Sequence, residues 1–166
     1  MSGTAFDIRA AGPQDVPAVH AMIGALAAYE RLSHLHVATE ADLHASLFGP
    51  RPAAEVLIAS RSGRPAAFAL FFHNFSTFLG RRGLWLEDLF VEPEFRRQGC
   101  AKALLRALAG IARDRGCGRF EWAVLDWNAS AIEFYQSLGA TVLPDWRIVR
   151  VVGDALDTMA SGSADD

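Results

Sequence analysis

The sequence predicts one α/β domain built on a mixed β-sheet. Its 166 residues are about one domain's worth of chain, and neither an internal repeat nor a linker divides them. Several strand patterns in the first half precede a single strand–helix–strand–helix unit, which favours a sheet with both antiparallel and parallel neighbours. We therefore expect a single domain over residues 1–153 and a partly disordered tail over 154–166.

The elements follow from hydrophobic periodicity and from helix start and stop signals. Residues 6–10 alternate as a short strand, and residues 13–29 repeat apolar side chains at helical spacing. Thr39 caps a second helix that runs to Phe48. Strands are predicted over 56–61, 66–75 and 84–91, with a loop over 74–83 between the last two.

The second half begins with the clearest helix, over residues 98–115, whose leucines share one stripe. A strand over 120–125 follows, and Asn128 then caps a helix that ends near Leu138. Leu143 and residues 148–152 are predicted as late strands.

Charge and composition exclude several classes of function. The net charge of −3 is a poor match for nucleic acid, which needs a basic face. The longest apolar run, 66–72, is far shorter than the roughly 20 residues that cross a bilayer. No secretory signal is visible, the two cysteines are isolated, and the five histidines lack metal-ligand spacing. We expect a cytoplasmic protein without a metal.

The most informative segment connects the strand at 84–91 to the long helix. Gly99 and Ala101 allow close backbone approach, and the helix N-terminus attracts anions. Arg96, Arg97 and Lys102 add positive charge, so the segment suits a phosphate or pyrophosphate. From spacing alone, a plain connection with solvated arginines fits equally well. Neither a P-loop nor a dinucleotide fingerprint is present.

Arg96-x-x-Gly99-x-Ala101 resembles the signature of the GNAT superfamily of acetyl-CoA-dependent N-acetyltransferases. The stretches 86–96, 124–128 and 134–140 are similar to its spermidine/spermine (diamine) acetyltransferase branch, as are residues 26–30 and 39–43. The resemblance implies a central, mostly antiparallel twisted sheet with helices on both faces, and it implies a homodimer.

The resemblance also implies how acetyl-CoA binds. Its pantetheine arm pairs with a strand next to a bulge, and its pyrophosphate lies on the backbone that opens the long helix. Arg97 stands where the family commonly has glycine, which arginine tolerates if its φ is negative. The implied cofactor-binding residues are Leu89, Phe90, Val91, Arg96, Arg97, Gln98, Gly99, Cys100, Ala101, Lys102, Asn128 and Ala131.

Two residues match catalytic positions of the family. Tyr135 corresponds to a tyrosine that protonates the departing thiolate, although its helical spacing also fits a core residue. Glu87 is the expected base for the amine, directly or through water. Its neighbour Asp88 is expected to face the opposite side of the strand. Either acid could instead be structural.

The molecule that accepts the acetyl group is expected to be a small amine, held by carboxylates and aromatic faces. Phe78 and the single Asp145 before Trp146 depart from polyamine enzymes, which favours a small or amino-acid-like acceptor over long polycations. A catalytically silent CoA sensor and a protein N-terminal or lysine acetyltransferase remain alternatives. The candidate amine-binding residues are Tyr29, Glu30, Asp88, Glu121, Trp122 and Asp126.

Overall fold

The computed structural model describes residues 5–162, in two compact units that divide between Ala123 and Val124. A single domain over residues 1–153 stays a prediction. None of the described helices has the length and apolarity needed to cross a bilayer. Residues 163–166 of the expected tail lie outside the described part of the chain.

The first unit is a five-stranded sheet with three helices. The strand order is β1-β2-β3-β4-β5, antiparallel throughout except that β5 runs parallel to β4. This confirms the mixed, mostly antiparallel sheet. Its elements are β1 Asp7–Ala10, α1 Val16–Tyr29, α2 Glu40–Phe48, β2 Glu55–Arg61, β3 Arg64–Ser76, β4 Arg81–Val91, α3 Cys100–Asp114 and β5 Phe120–Trp122.

Helices cover both faces of this sheet. Met22 of α1 packs in one buried cluster with Phe68 of β3 and Phe90 of β4. Alternation puts Phe71 on the other face, where the Arg115 guanidinium at the end of α3 lies 5.8 Å from its ring centroid. We call these the α1 face and the α3 face.

The predicted helix starts are confirmed by their caps. The Thr39 hydroxyl accepts a hydrogen bond from the Asp42 amide, and the Asp42 carboxylate accepts one from the Thr39 amide at 2.8 Å. In the second unit, the Asn128 side chain accepts from the Ala131 amide and begins α4, which spans Ala129–Ser137. Both helices therefore begin where their capping residues predict.

Three boundary predictions were wrong. Strands β3 and β4 continue through most of the expected loop over 74–83 and leave only residues 77–80 as the turn. Backbone pairing carries the ladder past the point where apolar alternation stops. Strand β5 ends at Trp122 rather than at residue 125.

The late strands at Leu143 and 148–152 are absent from the described chain, and the tail contains a helix instead. Ile148 and Val149 are exposed, and a strand without a neighbour to pair with does not form. Helix α5, Asp154–Ser161, begins with two acids in its first turn and ends at Gly162, whose φ is +67°.

Candidate active site

A β-bulge interrupts the pairing of β3 with β4. Leu70 lies opposite Asp88, but the next residue of β3, Phe71, lies opposite Leu86. Glu87 is thus the extra residue of β4 and has no partner across the ladder. The resemblance led us to expect a bulge near Leu89–Val91, and the observed one lies just before that stretch.

The bulge changes which side chains share a face. Asp88 and Phe90 lie across from Leu70 and Phe68, on the α1 face. The Trp85 indole donates a hydrogen bond from Nε1 to Glu87 Oε2 at 2.8 Å, so Glu87 turns to the side of Trp85. Leu84 and Leu86 lie on the α3 face with Phe71, which puts Trp85 on the α1 face too.

Glu87 and Asp88 consequently share the α1 face, and the expectation that they face opposite sides was wrong. The physical reason is the extra residue, which removes one step of the alternation. Trp85 was missed as a contact of Glu87. Its position two residues earlier on the same strand was a signal that could have identified it.

The surroundings of Asp88 and Glu30 disfavour the charged forms of their carboxyl groups. Burial, together with the nearby charges of Glu87 and Glu30, raises the pKa of Asp88 to about 6. Burial also raises the pKa of Glu30, at the end of α1. A positively charged amine would relieve this repulsion, and a carboxyl group with a pKa near 6 can accept a proton close to neutral pH.

Strands β4 and β5 separate where the bulge begins. Their parallel ladder runs from Leu84–Phe120 to Leu86–Trp122 and goes no further. Beyond it, Leu89, Phe90 and Val91 pair with β3, and no other strand of the described residues pairs with them. This backbone edge of β4 can therefore accept an extended ligand as an added strand.

The turn that opens α3 fits a phosphate group. Gly99 is the N-cap with φ +84°, it offers no side-chain cap, and a Cβ built there would meet nothing within 4 Å. Within residues 5–162, the amides of Cys100, Ala101 and Lys102 donate to no protein acceptor. These donors at a helix N-terminus form an anion site.

Arg97 does not have the negative φ on which we expected its tolerance to depend. Its φ is +59°, in the left-handed region that glycine adopts at little cost. The loop therefore keeps the backbone shape that suits a glycine, with an arginine side chain in its place.

Two arginines of the β2–β3 hairpin brace this loop. Arg61 donates to the Gln98 side-chain oxygen, and Gln98 Nε2 donates to the Glu94 carbonyl at 2.7 Å. Arg64 forms an ion pair with the Glu94 carboxylate at 2.8 Å. No local pattern predicts these contacts, because the partners are 37 and 30 residues apart in the chain.

The side chains of Arg96 and Cys100 make their contacts with the protein. Arg96 Nε donates to the Val91 carbonyl at 3.0 Å, and its guanidinium lies 5.3 Å from the ring centroid of Tyr29. Cys100 is buried, and burial raises the pKa of its thiol to about 11. A protonated thiol is a poor nucleophile, so Cys100 contributes its amide rather than its sulfur.

Of the two predicted amine-binding residues on β5, Glu121 lies opposite Trp85 and so on the α1 face, but its carboxylate is already engaged. The Glu121 carboxylate forms an ion pair with Arg119 at 2.7 Å and accepts from Asn74. Trp122 lies opposite Leu86 and therefore on the α3 face, away from Asp88. Glu30 is the predicted amine-binding residue whose charge helps to raise the pKa of Asp88.

The remaining candidates belong to the second unit. Asp126 is exposed before α4, Ala131 is half-buried in its first turn, and Asn128 is its cap. Tyr135 is half-buried in the same helix, with its ring centroid 5.5 Å from that of Phe134. Among residues 5–162, no three His, Cys, Asp or Glu side chains gather as a metal site.

Known proteins resemble this chain over most of its length. The family model for "Acetyltransferase (GNAT) family" matches residues 23–140. An L-ornithine N5-acetyltransferase of Arabidopsis thaliana is 36% identical, covering 92% of this chain and 86% of its own. A thialysine N-epsilon-acetyltransferase of Sus scrofa is also 36% identical, covering 92% and 96%.

The fold also matches a solved structure. A solved integron cassette protein from V. cholerae superposes with a TM-score of 0.80 at 24% identity, covering 95% of this chain and 99% of its own. The chain belongs to the GNAT acetyltransferase family and is an N-acetyltransferase.

Proposed function

We propose that this enzyme transfers an acetyl group from acetyl-CoA to the primary amine of a small diamine, polyamine or lysine-like amino acid. The observation that carries the proposal is the acidic group Glu30, Glu87 and Asp88 beside the open edge of β4. The two relatives named above act on ornithine and thialysine, which are small molecules with a side-chain amine. A cationic amine and this acidic corner are complementary in charge.

The residues present fit acetyl-CoA, which supplies the activated acetyl thioester. The open edge of Leu89–Val91 offers backbone groups to its pantetheine arm, and an amide of this stretch polarises the acetyl carbonyl. The amides that open α3 bind its diphosphate, with Lys102 adding charge. In the second unit, Asn128 and Ala131 are proposed as further contacts.

The amine must lose a proton before it can attack, since primary amines have a pKa near 10.4. We assign the role of proton acceptor to the Glu87–Asp88 pair. Glu87 is exposed and can meet the ammonium group, directly or through water. Asp88, with its pKa raised to about 6, is the better placed of the two to hold the proton near neutral pH.

Tyr135 is proposed to complete the transfer by donating its phenolic proton to the departing sulfur. A hydroxyl at this point avoids release of a free thiolate. Attack is direct, with both substrates bound together. The ammonium group gives its first proton to the Glu87–Asp88 pair, and the second proton that the nitrogen loses when the amide forms restores the phenol of Tyr135 after it has protonated the sulfur.

A homodimer is proposed as the working form. Residues of the 142–152 segment leave large apolar side chains in solvent, among them Trp146, Ile148 and Val149 at 79%, 70% and 90% exposure. Their β-branched composition suits a strand that lacks a neighbour within one chain. A second copy could supply it. The cytoplasmic location expected from the sequence stays a prediction.

Thiol release from acetyl-CoA in the presence of an amine panel tests the function. The panel contains ornithine, thialysine, lysine, diamines, spermidine and a peptide with a free N-terminus. We expect release with the small amines and little with the peptide. Preference for the peptide would favour a protein acetyltransferase, and CoA binding without release would indicate a silent sensor.

A further inference from the structure

A basic cleft lies at the end of the sheet away from the bulge. It has a volume of about 590 Å³ and is lined by His73 and Phe75 of β3, Arg81 and Arg82 at the start of β4, and Arg115 after α3. We call it the arginine cleft. Helix α3 has fifteen residues, so about 22 Å of helix separates this cleft from the turn at Gly99. It is a separate site.

The cleft carries positive charge that the described chain does not neutralise. Arg115 is held by the Glu55 carboxylate through both of its terminal nitrogens, one at 2.8 Å. Arg81 and Arg82 have no carboxylate partner among residues 5–162. Because the whole chain has a net charge of −3, this excess is local.

His73 supplies a second, independent observation. Its Nε2 atom is buried and has no hydrogen-bond partner within the described residues. Burial and the charges of Arg115 and Arg82 lower the pKa of His73, while Glu55 raises it. A buried polar nitrogen without a partner is costly, and an oxyanion in the cleft would accept its proton.

Phe75 indicates what the anion is attached to. This residue is 62% exposed on the wall of the cleft, opposite Arg82 across the β3–β4 ladder. An exposed aromatic side chain on the same face as the uncompensated Arg82 guanidinium suits a ligand with an anionic head and an apolar or aromatic body.

We propose that the arginine cleft binds a phosphate group, preferentially as the phosphomonoester of a small aromatic molecule. Arg82, which shares the α3 face with His73 and Phe75, pairs with the phosphate oxygens, His73 Nε2 donates to one of them, and Phe75 packs on the organic part. The site does not depend on the acetyl-transfer proposal, since it shares no residue with the bulge or with the opening of α3.

Calorimetry with inorganic phosphate, phenyl phosphate and phenol tests the site and separates its two sources of affinity. We expect phenyl phosphate to bind more tightly than inorganic phosphate, and phenol not to bind. Arg82→Gln should weaken phenyl phosphate binding about tenfold, as expected for losing one charge-assisted hydrogen bond. Arg106→Gln, which removes an exposed arginine from the middle of α3, should leave binding unchanged.

The turn at Gly99 also attracts phosphate, so the Lys102→Gln variant is measured in parallel. Binding that Lys102→Gln weakens and Arg82→Gln leaves intact would place the anion at the cofactor turn and overturn the proposal. A histidine NMR titration gives the second readout, because bound phosphate should raise the pKa of His73. An unchanged His73 titration would equally overturn it. Arg82→Met, which also removes the charge, replaces Arg82→Gln if that variant misfolds.

Discussion

Glu87 and Asp88 are neighbours in β4, yet both side chains lie on the α1 face of the sheet. A regular strand would separate them to opposite faces, and the bulge at Glu87 brings them together. Two carboxylates on one face raise the cost of ionising the more buried one, which is why Asp88 responds to the charge of Glu87. The acid pair is therefore a product of backbone irregularity.

Asp88→Asn should stabilise the protein at neutral pH. The folded-state pKa of about 6 exceeds the ordinary value of 3.8. The folded protein therefore holds more protons than the unfolded chain between these values, and stability falls as pH rises through this window. We expect the variant to be more stable by about 2 kcal/mol at pH 7, measured by urea unfolding.

The control for this prediction is Glu133→Gln, which removes an exposed carboxylate from α4. It should leave the free energy of unfolding unchanged. If wild type and Asp88→Asn lose stability in parallel from pH 4 to pH 7, Asp88 is not the group that titrates near 6.

Glu87→Gln should move the acid limb of the pH–rate profile to lower pH. The charge of Glu87 is one cause of the raised pKa of Asp88, so removing it lowers the pH at which Asp88 ionises. Asp88→Asn should instead abolish the limb near pH 6 and reduce turnover about a hundredfold. The measurement is kcat/KM against pH for both variants. A limb that disappears in Glu87→Gln alone would assign the proton acceptor to Glu87.

Arg97→Gly should stabilise the protein by about 1 kcal/mol, because it relieves a left-handed residue that carries a side chain. Gly99→Ala is the matched opposite change in the same turn. Its new Cβ meets no atom, so any loss comes from the backbone conformation at φ +84°. We expect a destabilisation of about 1 kcal/mol. Thermal unfolding measures both, and equal effects of the same sign would contradict the backbone account.

Tyr135→Phe should lower turnover about a hundredfold with little change in acetyl-CoA affinity, because only the phenolic proton is lost. Single-turnover kinetics and equilibrium binding separate the two effects. The isosteric ring preserves packing in α4, so full activity in this variant would exclude Tyr135 as the acid.

The sequence predicted the capped helices well, because the signals of Thr39 and Asn128 are local. The same holds for the turn at Gly99, where a small residue and a helix start stand together. The prediction failed for the segment at 148–152. Its apolar residues favour a strand, but within the described residues no neighbouring strand pairs with it. β-propensity is a property of each residue, whereas a β-strand also needs a neighbouring strand to pair with.

The shared face of Glu87 and Asp88 was also beyond sequence reasoning. The bulge depends on the register between β3 and β4, which is set by packing on both faces rather than by either acid. The same limit applies to Arg61, whose support of Gln98 arises only once the hairpin and the loop are folded.

The central claim is that the backbone amides opening α3 hold the diphosphate of CoA, and calorimetry with two ligands tests it most directly. Pantetheine lacks the nucleotide and diphosphate but keeps the arm proposed to lie along β4. The account predicts that CoA binds at least about a hundredfold more tightly than pantetheine, consistent with several charge-assisted hydrogen bonds. Equal affinity for the two ligands, or no heat with CoA, would contradict it.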